Sequence, residues 1–258
     1  MDCFLNYQTM KVTILQRDIL WAKPEDNRQR AEQALIAEQG SDIYVLPEMW
    51  STGFATHPEG IAETDGSSLK WMQQMAARLN AAVCGSVATD VDGSYRNRFY
   101  FVYPDGHYEY YDKHHLFTFG GEHKHFTAGA NRVTVEFRGA RILLQVCYDL
   151  RFPTFSRNSN SDRYDIAIYV ASWPTVRVKA WSTLLMARAI ENQAFVIGVN
   201  RVGKDPGNDY CGASVILDAY GNTLAACTLN EECLATAELD LEALAAFRTK
   251  FPVLNDAD

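Results

Sequence analysis

Leu143-Leu144-Gln145-Val146-Cys147-Tyr148-Asp149-Leu150-Arg151-Phe152-Pro153 is an apolar run that stops at a cysteine and then breaks into polar residues and a proline. It reads as a buried strand that delivers a thiol to its carboxyl end, where a sharp turn begins. Strand ends and the loops after them hold reactive groups in open α/β sheets, so Cys147 is a candidate nucleophile. Two other segments have the same design. Ile43-Tyr44-Val45-Leu46-Pro47-Glu48 is an apolar run ending in a carboxylate. Tyr110-Tyr111-Asp112-Lys113-His114-His115-Leu116 places a lysine just past a third β-like run.

Working outward, strand-like runs alternate with amphipathic helices. Residues 12–16 read as a strand. Pro24 opens a helix with Glu25 and Asp26 in its first turn, and Gly40 closes it. Residues 43–46 form the next strand. Leu69, Met72, Met75, Ala76 and Leu79 recur at helical spacing, which predicts a helix over 68–79. A strand over 82–87 follows. Residues 98–103 and 107–111 flank Pro104-Asp105-Gly106 as a hairpin. Residues 133–137 and 142–146 flank Arg138-Gly139 in the same way. The pattern then restarts: a strand over 166–170, a helix over 179–192, a strand over 195–199, and a hairpin of 215–218 with 223–226. A strand over 234–239 and a short helix over 241–247 end it. Strands alternating with helices imply mostly parallel pairing under covering helices. Two such halves without a linker suggest two sheets packed together with helices outside; a single doubly wound sheet is the alternative.

Composition narrows the function. With 258 residues and 47% apolar content, the chain can bury an extensive core. A formal charge of -8 and the absence of basic clusters speak against nucleic acid and anionic membranes as partners. No apolar run reaches the ~18 residues of a membrane span. The first residues lack a signal peptide's basic start and apolar core, so a cytoplasmic setting is expected. The six cysteines form no Cys-x-x-Cys pair and no zinc spacing with histidine. They read as free thiols, with Cys84 inside a strand-like run as a core residue. His114, His115, His123 and His125 come with no carboxylate set at ligand spacing, so they read as loop packing or pocket rim, and no metal is expected.

The three strand-end residues are chemically complementary. A thiolate attacks a carbonyl or nitrile carbon well, but a free cysteine is only slightly ionised at neutral pH. Glu48 can take its proton and later activate water if burial raises its proton affinity. Lys113 can stabilise the oxyanion of a tetrahedral intermediate, and the backbone N–H of Tyr148 can assist if the turn points it inward.

Glu48, Lys113 and Cys147, in that order and within these segments, resemble the nitrilase (carbon–nitrogen hydrolase) superfamily along nearly the whole chain. The resemblance implies a four-layer αββα sandwich of two mixed sheets, with a single catalytic domain over 11–258 behind an extension of residues 1–10. It implies a second glutamate, Glu122 in Gly120-Gly121-Glu122-His123-Lys124-His125-Phe126, that orients the lysine and supports the base. Glu48-Met49-Trp50-Ser51-Thr52-Gly53-Phe54 and the Glu122 segment are similar to the omega-amidase branch. Those enzymes release ammonia from the terminal amide of 2-oxoglutaramate and 2-oxosuccinamate through a cysteine thioester, without a cofactor. Such a substrate carries a carboxylate, for which Arg151 is the candidate partner; pairing of Arg151 with Asp149 is the structural alternative. Tyr148, Trp173 and Phe117 are candidate pocket walls. Arg188 and Glu191 are placed to form an ion pair behind the site. The resemblance also implies a homodimer. An N-carbamoyl hydrolase, a deaminated-glutathione amidase, a nitrilase and a silent thiol sensor on the same scaffold are the competing readings.

Overall fold

The computed structural model describes residues 9–256. Its first half runs β1 (Thr9–Gln16), α1 (Pro24–Ala37), β2 (Ile43–Val45), α2 (Ser67–Leu79), β3 (Ala82–Val91), β4 (Ser94–Val102) and β5 (Tyr108–Asp112). The second runs β6 (Thr134–Phe137), β7 (Ala140–Val146), α3 (Pro153–Ser156), β8 (Ile166–Ala171), α4 (Val178–Asn192) and β9 (Phe195–Asn200). It continues with β10 (Val202–Lys204), β11 (Asp209–Cys211), β12 (Val215–Leu217), β13 (Thr223–Ala226), β14 (Cys233–Asp240) and α5 (Leu241–Lys250). One sheet has the order β14-β1-β2-β3-β4-β5 and the other β13-β12-β9-β8-β7-β6. In each, three central strands are parallel and the outer pairings antiparallel. These are the two mixed sheets of the four-layer expectation, and a single doubly wound sheet is excluded.

Strand period decides the layering. Val12, Ile14, Ile43, Val45, Phe99 and Phe101 face the second sheet, sharing one core with Ile142, Ile166 and Ile168. The residues between them, Leu15, Tyr44, Val83, Tyr100 and Val102, face outward under α1 and α2, against Ala31, Leu35, Met72 and Met75. Side chains two apart along a strand share a face, so one run of sequence serves two apolar layers. On the far side α4 seats Trp181 and Leu185 against Gly198 of β9.

Several boundaries differ from the sequence reading. The strand read from 12 begins at Thr9, with Thr9 opposite Asp240 and Met10 opposite Leu239 on β14. The extension therefore does not reach residue 10; residues 1–8, with Cys3, lie outside the described residues. The strand read as 82–87 continues to Val91 and turns directly into β4 at Asp92-Gly93, both at positive φ (51° and 81°). That is the two-residue turn whose twist suits a hairpin. No full helix joins β7 to β8; the short α3 and the turn carrying Cys147 occupy that crossover. Among the described residues, no helix is long and apolar enough to cross a membrane.

Candidate active site

The three strand ends meet. Lys113 directly follows β5, Cys147 directly follows β7, and Glu48 lies in the turn beyond β2. All are withdrawn from solvent: Glu48 is 0%, Lys113 1%, Glu122 0% and Cys147 9% exposed. The Lys113 ammonium donates to Glu48 Oε1 at 2.9 Å and to Glu122 Oε2 at 2.9 Å. Asn97 on β4 donates its amide to Glu48 Oε1 at 2.8 Å and to Glu122 Oε1 at 3.1 Å. The remaining oxygen of Glu48 accepts the backbone N–H of Ser172 at 2.8 Å, just past β8. Glu122 Oε2 also accepts the N–H of Phe117 at 2.6 Å. Buried charges persist only when paired and hydrogen-bonded, and these oxygens meet that condition.

The electrostatics follow from burial and from one cation between two anions. Burial pulls the Lys113 ammonium down, but Glu122 and Glu48 outweigh it and hold the proton above the ordinary lysine range. Burial pushes Glu122 up; Lys113 opposes and Glu48 adds to the rise. Burial also pushes the Cys147 thiol well up; Glu48 reinforces this and Lys113 counteracts it. The resting sulfur is therefore a protonated thiol that needs a base to become a nucleophile. Glu48 joins the two sides of the site: it accepts from Lys113 at 2.9 Å and from the N–H of Ser172, which lines the same pocket as Cys147.

The turn that presents the thiol is held by a single carboxylate. Cys147 has φ +46°, a conformation a non-glycine residue adopts only when its surroundings impose it. Residues Cys147–Arg151 form a 3-10 turn. Asp149 Oδ2 accepts the N–H of Val146 at 2.9 Å and the Tyr111 hydroxyl at 2.8 Å. Its Oδ1 accepts the backbone N–H of His115 at 3.0 Å and is bonded to the ring at 2.8 Å. One side chain thus ties the Cys147 turn to both flanks of Lys113. Asp149 is not the partner of Arg151. Behind the turn Arg188 donates to the carbonyl of Leu150 at 2.7 Å and pairs with Glu191 at 2.7 Å, as the sequence suggested.

A pocket opens onto Cys147. Phe117, Tyr148, Arg151 and Trp173 line it, so the four candidate wall and binding residues come together there. Phe54, Ser172, Pro174, Arg177, Asn208 and Tyr210 complete the lining. Arg151 lies 4.8 Å over the Trp173 ring, and Arg177 lies 5.5 Å over Phe117. Sequence reading missed Asn97 and Arg177. Asn97 was detectable: it shares its strand face with Phe99 and Phe101, and a polar side chain in phase with a buried apolar face needs a partner. Asn208 and Tyr210 belong to the β10–β11 ribbon, whose strands are too short to show a pattern. The histidines divide. His114 stacks on Phe155 and His115 on Phe152 as packing. His125, with His57 and Glu59, forms the one group among the described residues whose ligand atoms lie within 4.8 Å of one another. It is an exposed rim cluster outside the pocket lining, and the 2.8 Å contact of His125 with Glu59 accounts for its closeness.

A carboxylate, an ammonium and a thiol converging at strand ends between two mixed sheets define a carbon–nitrogen hydrolase, and the chain belongs to that family, whose model matches residues 11–249. Among curated relatives, omega-amidase YafV of Yersinia enterocolitica is 47% identical over 97% of both chains. The 2-oxoglutaramate amidase of Bacillus subtilis is 36% identical over 96% of this chain and 98% of its own. Among solved structures, XC1258 of Xanthomonas campestris, a CN-hydrolase superfamily protein with an arsenic adduct in its active site, superposes with a TM-score of 0.94. It is 40% identical, covering 97% of this chain and 98% of that one.

Proposed function

We infer that this protein is an omega-amidase that hydrolyses the terminal amide of 2-oxoglutaramate and 2-oxosuccinamate to the 2-oxo dicarboxylate and ammonia. The observation that carries the reading is the buried cluster of Glu48, Lys113, Glu122 and Cys147 under a pocket that bears arginines. Similarity to omega-amidase YafV and to 2-oxoglutaramate amidase supports the substrate.

In the proposed cycle Glu48 takes the Cys147 proton as sulfur attacks the amide carbon. The carbonyl oxygen becomes an oxyanion stabilised by Lys113 and by the backbone N–H of Tyr148, which as an opening N–H of the 3-10 turn has no acceptor within it. Glu48 returns the proton to the departing nitrogen, ammonia leaves, and a thioester remains on Cys147. Glu48 then takes a proton from water, which attacks the thioester; the acid departs and sulfur recovers its proton. Glu122 keeps Lys113 charged and in place. Arg151 binds the substrate carboxylate, with Trp173, Phe117 and Tyr148 as walls. No step requires a metal or organic cofactor.

Ammonia release from 2-oxoglutaramate, set against N-carbamoyl amino acids, deaminated glutathione and nitriles, tests the reading; preference for any of the latter overturns it. Electrospray mass of protein quenched with substrate should show the acyl group on Cys147. The single domain, the cytoplasmic setting and a homodimer belong to the same proposal, and sedimentation equilibrium checks the last.

A further inference from the structure

Two guanidiniums line the pocket beside the nucleophile, and no carboxylate of a described residue pairs with either. The chain has 32 acidic against 24 basic residues, so partners are in excess. Most arginines elsewhere find them, among them Arg98 with Asp112, Arg188 with Glu191 and Arg248 with Asp165, each at 2.7 Å, while Arg157 bonds to a backbone carbonyl instead. Arg151 and Arg177 instead rest on aromatic rings, Trp173 and Phe117. A ring takes the face of a guanidinium and leaves its N–H edges free to bind a planar anion. One buried side chain organises both arginines. The Trp173 ring carries Arg151, and its indole N–H donates to the backbone carbonyl of Arg177 at 2.8 Å. The lining contains no Asp or Glu.

We propose that Arg177 is a specificity-determining residue which, together with Arg151, clamps the carboxylate and 2-oxo end of the substrate and excludes amides whose 2-position carries an ammonium. This rests on the omega-amidase reading and deepens it. The carboxylate and the adjacent 2-oxo oxygen form a planar set of acceptors wider than one guanidinium fork spans, which suits two forks. The 2-amino acid amide has the same length and carboxylate, but its ammonium would face two cations with no lining anion to receive it.

Steady-state kinetics of the wild type, Arg177→Gln and Arg177→Lys with 2-oxoglutaramate, L-glutamine and the uncharged pentanamide test this. Arg177→Gln should lower kcat/KM for 2-oxoglutaramate roughly 100-fold, the scale of one charge-assisted contact, chiefly through KM. Pentanamide hydrolysis should fall by a clearly smaller factor than 2-oxoglutaramate hydrolysis, since an uncharged ligand loses the wall that Arg177 shares with Phe117 but no charge-assisted bond. The preference for 2-oxoglutaramate over glutamine should shrink at least about tenfold. Arg177→Lys should fall between the two, because it keeps the charge and loses the fork. Equal losses on all three amides, or no loss on 2-oxoglutaramate, would overturn the proposal. Calorimetric binding of 2-oxoglutarate to Cys147→Ala, with and without Arg177→Gln, reads the clamp independently of turnover. A wild type that hydrolyses other amides but not 2-oxoglutaramate sinks the omega-amidase reading, whereas unchanged 2-oxoglutarate affinity on Arg177→Gln sinks the clamp.

Discussion

Asn97 shows how much of the site depends on a residue that does no chemistry. Its amide nitrogen donates to both carboxylates that flank Lys113, while its own carbonyl oxygen is buried without a hydrogen-bond partner. An unsatisfied acceptor is tolerated because the amide stands where two anions converge. Asn97→Ala removes both bonds and should cost about 1–3 kcal/mol of stability and roughly 10- to 100-fold in kcat as the carboxylates shift. Asn97→Asp, nearly isosteric, should be the worse substitution, because it adds a third carboxylate around one ammonium. Paired kcat measurements and thermal melts decide this; an Asp variant more active than the Ala variant would refute the donor role. Cys147→Ser keeps the packing and offers a far weaker nucleophile. Turnover should fall by at least about 10³-fold with the circular dichroism spectrum and the cooperative melt retained.

At the scale of elements, the position of Lys113 is set by the loop that passes beside the end of β5. Gly129 donates its N–H to the Lys113 carbonyl at 3.0 Å, and its own carbonyl oxygen contacts His114 Nδ1 at 2.7 Å. A Cβ at Gly129 would fall 2.0 Å from the carbonyl oxygen of Asp112, the last residue of β5. Backbone cannot yield as a side-chain tip can, so Gly129→Ala must push the loop and the strand end apart. It should cost about 1–3 kcal/mol and lower kcat roughly 100-fold through the displaced ammonium. Wild-type kcat in a destabilised Gly129→Ala protein would show that the loop does not position Lys113. This dependence also marks where sequence stops being informative. Local pattern made the parallel cores and the three strand-end residues legible, because alternation and an abrupt polar break are properties of neighbouring residues. It was silent on Gly129 against Asp112, on Asp149 joining the Cys147 turn to His115, and on β14 returning to pair with β1. Those contacts join segments distant in the chain, and nothing in either segment encodes its partner. The β3–β4 hairpin is a different case: Asp92-Gly93 is a local turn signal inside a run that 82–87 and 98–103 left split.

For the molecule as a whole, burial of protonated acids predicts a one-sided response to pH. Burial pushes the Cys84 and Cys147 thiols above their ordinary 9.0. It also raises the Tyr111 and Tyr164 hydroxyls well above 10.0, and Tyr169 to about 12. Lys113 is held above its ordinary 10.5 by Glu122 and Glu48 despite burial. Every one of these groups keeps its proton longer folded than unfolded. Below pH 9 both states are protonated at these sites and stability is insensitive to them. Above pH 9 the unfolded chain releases protons that the folded protein retains, so stability falls as pH rises. The net charge of -8 compounds the effect, since alkaline titration adds repulsion to an already anionic chain. The urea midpoint should be nearly level from neutrality toward pH 9 and fall beyond it. Cys84 isolates one contribution: its thiol is fully buried, and burial is the cause of its shift. Cys84→Ala opens a small cavity and should be less stable than wild type at pH 7 by about 1 kcal/mol. Because the variant lacks that proton, the deficit should shrink by about 1.4 kcal/mol for each pH unit above 9 and then reverse sign. A difference between the two proteins that stays constant from pH 7 to pH 10.5 would mean that the Cys84 thiol ionises as readily in the fold as out of it.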